Sequence, residues 1–468
     1  MVITTSRRQH SDWQHALVIG ASMAGLLAAR MLSDYFEQVT IVERDHLPGI
    51  AQARKGVSQG QHVHLLLNKG VNLVGDLFPN IFLSLEADGA LPLDVTRDVS
   101  WFHFGAWKPQ FAGSLRVYGQ SRPLLEYHVR RRLTERSNVC IRDTCEVLGL
   151  VSGAKDHGGI TGVRIRHHTQ REEYIATNLV VDASGRGSQT PRWLTELGHP
   201  SVAETHIKIG VGYASRVYRR PETHSPQKVL IIYPQPPETK RTGYLFPIEG
   251  NAWMATLSGY VHDYPPADEA GFLAFARSLV KPDLYEAIKD AKPLSPIAIH
   301  KVPTDRWRHY ERAHMPDGLI VLGDAACSFN PIYGQGMTVA ALEAQLLGVC
   351  LQQQSRSGTM AGFSQRFQKA LPNVLGDPWL LTTSEDLRYP EAEGKRSFGL
   401  GLLQRYTKRV FGVTATQPFA TQTFYEVLNM LKPPTALFHP RILLPALFGR
   451  SSMSKGARRN ARLSKGVS

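Results

Sequence analysis

The sequence predicts an α/β protein with a Rossmann-like domain, an interleaved mixed-sheet substrate domain and a helical C-terminal region. Three observations lead to this fold class. A strand, a glycine-containing turn, a helix and a second strand follow one another between His15 and Asp45. A second strand–loop–helix unit begins at Leu319, and from about residue 355 the apolar residues recur at helical spacing. Between residues 190 and 300, alternating apolar runs indicate antiparallel strands.

The composition is that of a soluble globular protein: 42% of the 468 residues are hydrophobic and 20% are charged. A formal net charge of +14 is compatible with a nucleic acid, an anionic membrane or an acidic ligand as partner. Part of this excess is local, because residues 450–468 carry six cations and no acidic residue, as in a solvated basic tail. We therefore expect no nucleic acid partner.

The cysteines indicate a reducing compartment. The chain has four of them, and their irregular spacing fits neither a disulfide framework nor a zinc site. The N-terminus lacks the apolar segment of a signal peptide, and no run of eighteen apolar residues occurs. These features predict a cytoplasmic protein that holds no metal.

The first strand–turn–helix unit predicts a dinucleotide site. His15 to Ile19 is a buried strand, and Gly20 supplies the tight turn that follows it. Gly25 lets the helix pack closely on the sheet, while the helix N-terminus offers N–H groups to a pyrophosphate. Ser22 stands where the usual fingerprint has its second glycine, and its small side chain leaves room for the phosphates. Glu43 ends the second strand. Its distance along the chain from Gly20 is close to that at which an acidic residue binds the adenosine ribose in such sites.

The second unit identifies which dinucleotide is expected. The apolar strand Leu319 to Leu322 leads into Gly323 and Asp324, and a helix begins near Gly336. An acid at this strand end is unusual for a plain NAD enzyme, but it suits a flavin, whose ribityl hydroxyls need an acceptor. The helix N-terminus at Gly336 can stabilise negative charge on the flavin ring. The sequence therefore predicts FAD.

Four stretches carry a resemblance to a known family: GASMAGL with VERD, ARKGVSQGQHVHLLL, YGQSRPLLEYHVRRRL and GDAACSFNPIYGQGM. They resemble the FAD-dependent aromatic-hydroxylase superfamily, the p-hydroxybenzoate hydroxylase-like flavoprotein monooxygenases. Within it, the chain is most similar to the squalene-epoxidase-like and bacterial polyether-type epoxidase branch, to which YLFPIEGNAWMATLSG and PWLLTTSEDLRYP also correspond. The resemblance extends from Ala16 to about Phe448.

The resemblance implies an FAD-dependent monooxygenase that activates O2 as a flavin C4a-hydroperoxide and epoxidises or hydroxylates a lipophilic, natural-product-type small molecule. Electrons would come from NADH or NADPH, directly or through a flavin reductase. The motifs and the resemblance together predict these cofactor-binding residues: Gly20, Ser22, Met23, Ala24, Gly25, Glu43, Arg44, Arg54, Arg122, Asp324, Pro331, Gly334, Gln335, Gly336 and Met337.

The chain departs from the family in two places. Ser184 stands where the middle Asp-Gly signature has its aspartate, which argues against a role of this stretch in NAD(P)H use. The Trp-x-Trp-x-Ile-Pro stretch of the halogenase branch is absent, which argues against chlorination. Lys69, the residue that could stand for a halogenase lysine, is better interpreted as a solvent-facing helix residue.

Side-chain catalysts are not required, because the flavin carries the chemistry. Arg54, Gln61 and His62 are the candidates for polar groups near the flavin ring. His62 and His64 alternate, but no acidic or cysteine cluster accompanies them, so a packing role is favoured over a metal pair. The candidates for an aromatic substrate wall, each of which could equally be ordinary core, are Tyr213, Tyr233, Tyr244 and Phe246.

The motif positions require interleaved domains. The predicted FAD-binding segments are residues 14–64, 111–190 and 301–354; the substrate-domain segments are 65–110 and 191–300; a helical region, 355–450, and a basic tail, 451–468, follow. The stretch TALFHPRILLPALFGR fits either a cavity-capping helix or a peripheral membrane contact. Two alternative functions stay open, a reductase or dehydrogenase of the geranylgeranyl-reductase type and a non-catalytic flavin-binding protein.

Overall fold

The computed structural model of the protein describes residues 13–54, 56–153, 158–221 and 228–449, so the basic tail lies outside the described residues. The strands are β1 (His15–Ile19), β2 (Gln38–Val42), β3 (Leu91–Asp94), β4 (Val99–His103), β5 (Ala106–Trp107), β6 (Arg116–Gly119), β7 (Val139–Arg142), β8 (Cys145–Ser152), β9 (Ile160–His167), β10 (Glu172–Ala176), β11 (Leu179–Asp182), β12 (Glu204–Arg219), β13 (Val229–Ile232), β14 (Arg241–Ile248), β15 (Ala252–Gly259), β16 (Ala298–Arg308), β17 (Leu319–Val321) and β18 (Cys327–Ser328).

The helices lie between these strands and after them. They are α1 (Met23–Leu32), α2 (Asn68–Leu77), α3 (Ile81–Ala87), α4 (Val95–Asp98), α5 (Arg122–Thr134), α6 (Thr190–Glu196), α7 (Glu269–Arg277), α8 (Asp283–Ile288), α9 (Gly336–Ser355), α10 (Phe363–Ala370), α11 (Pro372–Asp386), α12 (Leu400–Val413), α13 (Pro418–Leu428) and α14 (Pro440–Phe448).

A five-stranded parallel sheet forms the centre of the first domain, in the order β17-β11-β1-β2-β7. The strands pair in parallel throughout, and helices α1, α5 and α9 pack around them. The middle strands are apolar and almost fully buried, as expected for a parallel sheet covered on both faces. Because parallel strands end at the same edge, the turns after β1, β11 and β17 meet there.

An eight-stranded mixed sheet forms the second domain, in the order β18-β16-β12-β15-β14-β13-β4-β5. Its strands come from both predicted substrate-domain segments. Strand β16, however, continues through residue 308, and β18 joins the same sheet, so the sheet extends past the expected boundary at residue 300. One apolar cluster joins this sheet to the C-terminal helices α12, α13 and α14, with Trp101, Tyr213, Val410, Phe424 and Ile442 among its buried members.

Within the described residues, no helix is both long and apolar enough to cross a membrane. The predicted C-terminal stretch forms helix α14, in which Pro440 occupies the first turn and Pro445 lies inside. Proline is compatible with the first turn because the N–H that it lacks would have no partner there. The prolines therefore shorten this helix to nine residues but do not abolish it.

Candidate cofactor groove and substrate cavity

The turn after β1 has the geometry that its glycines predict. Gly20 has φ +101°, and a Cβ on it would lie 2.7 Å from the carbonyl oxygen of Ala183, which follows β11. A Cβ on Gly25 would lie 1.9 Å from the Gly20 carbonyl oxygen, so α1 packs directly on the turn. Both glycines are therefore required by close backbone approach, and Gly20 is required by its conformation as well.

Ser22 replaces the usual second glycine without strain, because its φ of −93° suits any residue. Its hydroxyl does not cap α1. Instead, Ser22 Oγ accepts a hydrogen bond from Arg122 Nη2 at 2.8 Å. The first N–H groups of α1 are thus left to a ligand, and Arg122 is held beside them. In this way the predicted flavin-contacting arginine reaches the phosphate turn.

Glu43 and Arg54 form a buried ionic cluster under the same turn. Glu43 Oε2 accepts from the Ala21 N–H at 2.8 Å and pairs with Arg54 Nη1 at 2.9 Å. Arg54 also donates to Glu126 Oε1, on α5, at 2.8 Å. The guanidinium is therefore neutralised by carboxylates, so a phosphate contact by Arg54 would require these ion pairs to rearrange. Arg44 points outward and is exposed.

Asp324 lies in the turn after β17, where the backbone meets α1: a Cβ on the preceding Gly323 would lie 2.8 Å from the Ala24 Cβ. Burial raises the pKa of Asp324, and the nearby Arg186, Arg122 and Arg306 and a hydrogen bond from Gln59 oppose that rise. The carboxyl group thus lies among cationic and amide side chains at the end of β17.

The loop before α9 supplies the remaining predicted residues. Pro331 begins a short 3-10 turn, Gly334 follows at φ +65°, and Gln335 precedes the helix. A Cβ on Gly334 or on Gly336 would meet no atom within 4 Å, so both glycines border open space. The side chains of Met23 and Met337 are buried in the core, which limits any cofactor contact by these two residues to their backbone.

In the stretch that corresponds to the family's middle Asp-Gly signature, Ser184 binds the neighbouring Asp182. Ser184 donates a 2.5 Å hydrogen bond to Asp182 Oδ1, and the same oxygen accepts from the Ser184 N–H at 2.9 Å. The stretch therefore satisfies its own buried carboxylate. Arg186, two residues further on, acts electrostatically on Asp324. Sequence analysis missed Arg186, Gln59 and Arg306, although the position of Arg186 inside the signature could have indicated it.

A cavity of about 390 Å³ lies between the eight-stranded sheet, the loop before α9 and the C-terminal helices. Tyr213, Tyr233, Tyr244 and Phe246 all line it, in the place predicted for an aromatic wall. The three hydroxyl groups brace the loop: Tyr213 donates to Asn330 Oδ1 at 3.1 Å, and the other two donate to the Ile332 carbonyl at 3.3 Å. The rings are left to form an apolar wall.

The two polar candidates of the flavin-lining segment are placed differently. His62 is buried and lines the cavity. Gln61 is exposed and does not line the cavity, whereas Gln59 does. Gln59 Oε1 accepts a hydrogen bond from Arg122 Nη1 at 2.9 Å. The 3-10 turn Ser58–Gln61 causes the difference, because its tight winding directs residues 59 and 61 to different sides.

The residues present fit an FAD molecule. Open space borders the two glycines of the α9 loop, and the α1 N-terminus has no side-chain cap. Arg122 Nε is buried and forms an ion pair with Glu126 Oε2 at 3.6 Å, so the guanidinium is held at the turn beside the N-terminus of α1. In the described part of the chain, no cluster of His, Cys, Asp and Glu could hold a metal ion.

A pair of buried carboxyl groups lies behind the cavity. Asp305 and Asp386 are fully buried and interact electrostatically with each other, and Asp386 Oδ1 accepts from Asn330 and Tyr333 at 3.0 Å. Two carboxylates repel, so the contact requires a shared proton. Burial raises the pKa of Asp386 to about 6 and that of Asp305 well above its ordinary value.

We expect Asp305→Asn to stabilise the protein at pH 8. Because the folded pKa values of the pair are raised, the folded state gives up stability as pH rises from about 4 through 6 and beyond. The asparagine amide supplies a permanent donor, which should recover on the order of 2 kcal/mol. Thermal unfolding between pH 5 and pH 8 measures this effect. Asp377→Asn, on an exposed carboxylate of α11, the helix that carries Asp386, is the control; equal pH profiles for both variants would contradict the shared proton.

The fold places the chain in a defined class of protein. Flavin-dependent brominase Bmp2 aligns with 95% of the chain and 100% of its own, at a TM-score of 0.65 and 14% identity. A flavoprotein/dehydrogenase from Cytophaga hutchinsonii aligns with 95% of this chain and 98% of its own, at a TM-score of 0.62 and 15% identity. OxyS anhydrotetracycline hydroxylase from Streptomyces rimosus aligns with 89% of this chain and 76% of its own, at a TM-score of 0.58 and 15% identity. The chain therefore has the fold of the FAD-dependent monooxygenases of the aromatic-hydroxylase superfamily.

Sequence similarity gives the narrower relationship. No protein-family model matches the sequence. The chain is 33% identical over 395 residues to Protein Rv3254 of Mycobacterium tuberculosis (strain ATCC 25618 / H37Rv). The aligned residues make up 81% of each protein. The chain belongs to the same family as Protein Rv3254.

Proposed function

We propose that the protein is an FAD-dependent monooxygenase that transfers one oxygen atom of O2 to a lipophilic small molecule. The observation that carries the proposal is the apolar, largely aromatic cavity that adjoins the loop Pro331–Gln335 at the end of the cofactor groove. FAD, when bound, supplies the redox chemistry and the activation of O2. A flavin reactive towards O2 requires a dry site, and the aromatic walls satisfy that requirement.

The residues of the chain bind and orient the reactants. The N–H groups of α1 and the Arg122 guanidinium suit the pyrophosphate, and Asp324 suits the ribityl hydroxyls. Glu43 holds the turn through the Ala21 N–H, and its place at the end of β2 suits a ribose contact. Tyr213 and Tyr233 hold the loop before α9, so that a substrate in the cavity meets a rigid wall.

We propose epoxidation or hydroxylation as the reaction and NADH or NADPH, directly or through a flavin reductase, as the electron source. Ser184 is engaged with Asp182, so this stretch offers no free carboxylate to a nicotinamide cofactor. The relationship to a flavoprotein/dehydrogenase structure keeps a reductase as the second candidate. Incorporation of an atom from ¹⁸O2 into the product separates the two: a monooxygenase incorporates it, and a reductase does not.

The first test is flavin itself. We expect the purified protein to show the absorbance bands of oxidised flavin and to release FAD on acid precipitation, because the groove offers no tethering motif. Flavin that stays in the acid pellet would show a covalent link. Purified protein that contains no flavin, and takes up none when FAD is added, would refute the assignment. Flavin that does not reoxidise in air after reduction would favour a non-catalytic flavin-binding protein.

We also propose that the C-terminal region contacts an anionic membrane surface. The cavity lining reaches the surface at Phe438, which is 47% exposed. Helix α14 adds the exposed Leu444 and Phe448, and its first turn carries the exposed Arg441. Apolar side chains flanked by cations are typical of interfacial helices, and this placement would give a lipophilic substrate a direct route into the cavity.

Sedimentation with vesicles tests this contact. We expect binding to vesicles that contain phosphatidylglycerol and little binding to pure phosphatidylcholine vesicles. Replacing Leu444 and Phe448 by serine should abolish the binding and leave the flavin content unchanged, because neither residue lies near the groove. Leu83→Ser, at an apolar residue that is 64% exposed on α3, is the control and should bind as the unmodified protein does. Equal binding by the double variant would contradict the proposal.

A further inference from the structure

Gln59 joins the two ends of the cofactor groove. Its Oε1 accepts a hydrogen bond from Arg122 Nη1 at 2.9 Å, and its amide also forms a hydrogen bond with the Asp324 carboxyl group. Arg122 begins α5 and lies beside the phosphate turn, whereas Asp324 follows β17, where the ribityl chain is expected. One side chain therefore connects the expected phosphate end of the groove with its expected ribityl end.

The chemistry of the three groups determines how the amide is oriented. A guanidinium can only donate hydrogen bonds, and an ionised carboxylate can only accept them. The amide oxygen of Gln59 therefore faces Arg122, and its NH2 group faces Asp324. Among uncharged side chains of this length, glutamine is the one that offers both an acceptor and a donor. A thioether of the same length would satisfy neither partner.

The backbone places Gln59 beside Arg122 independently of the amide. Gln59 belongs to the 3-10 turn Ser58–Gln61. This turn lies against the start of α5, because a Cβ on Gly60 would lie 3.6 Å from Pro123 Cγ, an ordinary van der Waals contact. The hydrogen bonds of the amide can therefore be removed by substitution while the turn keeps its packing.

Arg122 and Asp324 attract each other across the groove. The guanidinium favours the ionised form of the carboxyl group electrostatically, but in the described chain its ion pair is with Glu126, at 3.6 Å between Nε and Oε2. A direct pair between Arg122 and Asp324 would neutralise both charges and occupy donors and acceptors that phosphates and ribityl hydroxyls need. Gln59 satisfies both groups with one hydrogen bond each, and the carboxylate keeps further acceptor sites for a ligand.

We propose that Gln59 is a positioning residue for the cofactor, which keeps the Arg122 guanidinium and the Asp324 carboxylate at the separation at which they bind two parts of one FAD molecule. This inference rests on the proposed function, because it assigns a role in the same cofactor groove. Gln59 acts on the affinity for FAD through these two groups. It also lines the substrate cavity, so the same side chain ties the cavity wall to the groove.

Release of FAD from the flavin-loaded protein on dilution, followed by flavin fluorescence, tests the proposal. Gln59→Met keeps the length of the side chain and removes both hydrogen bonds. FAD should then bind about tenfold more weakly, the factor that corresponds to one hydrogen bond to a charged group. Gln61→Met, at the exposed glutamine of the same turn, is the matched control and should bind FAD as the unmodified protein does. Equal FAD affinities of the two variants would overturn the proposal.

Gln59→Glu gives a pH profile that a merely structural role would not change. At pH 5.5 the introduced carboxyl group and Asp324 share a proton and can hydrogen-bond as the amide does. As the pH rises both groups ionise and repel each other, so the FAD affinity relative to the unmodified protein should fall about fivefold or more by pH 8.5. Gln59→Met should show no such change. A pH-independent ratio for Gln59→Glu would overturn the proposal.

The other groups near the bridge do not titrate in this pH range. The arginines that act electrostatically on Asp324 keep their charge throughout: Arg122, Arg186 and Arg306. His64, whose Nε2 lies 3.5 Å from Arg122 Nη1, stays neutral because burial lowers its pKa to about 3. A pH dependence that appears in Gln59→Glu and not in Gln59→Met therefore belongs to the introduced carboxyl group and Asp324.

A double-mutant cycle shows whether Gln59 acts through Asp324. In the Asp324→Ala background, Gln59→Met should weaken FAD binding by about threefold or less, because one of its two partners is already absent. A full tenfold loss in that background would show that the two residues act independently and would overturn this inference alone. An unmodified protein that neither contains nor takes up FAD would refute the proposed function and the inference with it.

Discussion

Gly20→Ala should reduce FAD binding to roughly a tenth of the unmodified protein or less, because backbone strain of about 1–3 kcal/mol adds to a steric clash. The new Cβ would lie 2.7 Å from the Ala183 carbonyl oxygen, and the residue would be forced to keep φ +101°. Relief requires the turn to move, which takes the N–H groups of α1 away from the pyrophosphate. Flavin content per protein, measured by absorbance after denaturation, gives the result.

Gly198→Ala is the matched control for this variant. Gly198 also has a left-handed backbone, at φ +87°, but a Cβ there would meet no atom within 4 Å. It therefore carries the conformational cost without the clash, and it should keep its flavin while losing about 1 kcal/mol of stability. Full flavin occupancy in Gly20→Ala would show that the turn after β1 does not bind the cofactor.

Asp324→Ala should weaken FAD binding at least tenfold, since a charged acceptor contributes about 1.5–3 kcal/mol per hydrogen bond to ligand hydroxyls. The raised pKa of Asp324 means that its ionised form is a cost to the free protein at neutral pH. Removing the carboxyl group should therefore leave the melting temperature of the apoprotein unchanged or slightly higher. Titration of the apoprotein with FAD and thermal unfolding separate the two effects.

Asp324→Asn is the conservative control, because it keeps one acceptor oxygen and the side-chain shape. We expect an intermediate FAD affinity for this variant. A variant Asp324→Ala that binds FAD normally but melts several degrees lower would identify the residue as a structural cap.

Local patterns were sufficient for the elements that carry the cofactor motifs. The first strand was predicted with its observed limits, α1 within one residue, and the helix after the second unit at Gly336. These elements follow from side-chain periodicity and from glycine positions, which are local properties of the chain. The same locality explains part of the aromatic wall: Tyr244 and Phe246 alternate along β14, so they point to one face of the sheet.

Gln61 shows where local patterns fail. The sequence places it beside His62 in one polar segment, but a single 3-10 turn decides which of the neighbouring glutamines faces the groove. The extent of the eight-stranded sheet is likewise not a local property of the chain. A strand ends where its partner ends, and the partner of β16, strand β12, lies about ninety residues earlier in the chain.

The sequence by itself determined the α/β class, the two strand–turn–helix units and the expectation of a flavin, because each depends on residues close together in the chain. Only the tertiary structure decided which distant side chains meet. Arg122 reaches Ser22 across 100 positions, His62 reaches Ser215 across 153, and Asn330 reaches Asp386 across 56. Such partners are fixed by the packing of two sheets and the C-terminal helices against one another, and no spacing along the chain encodes that packing.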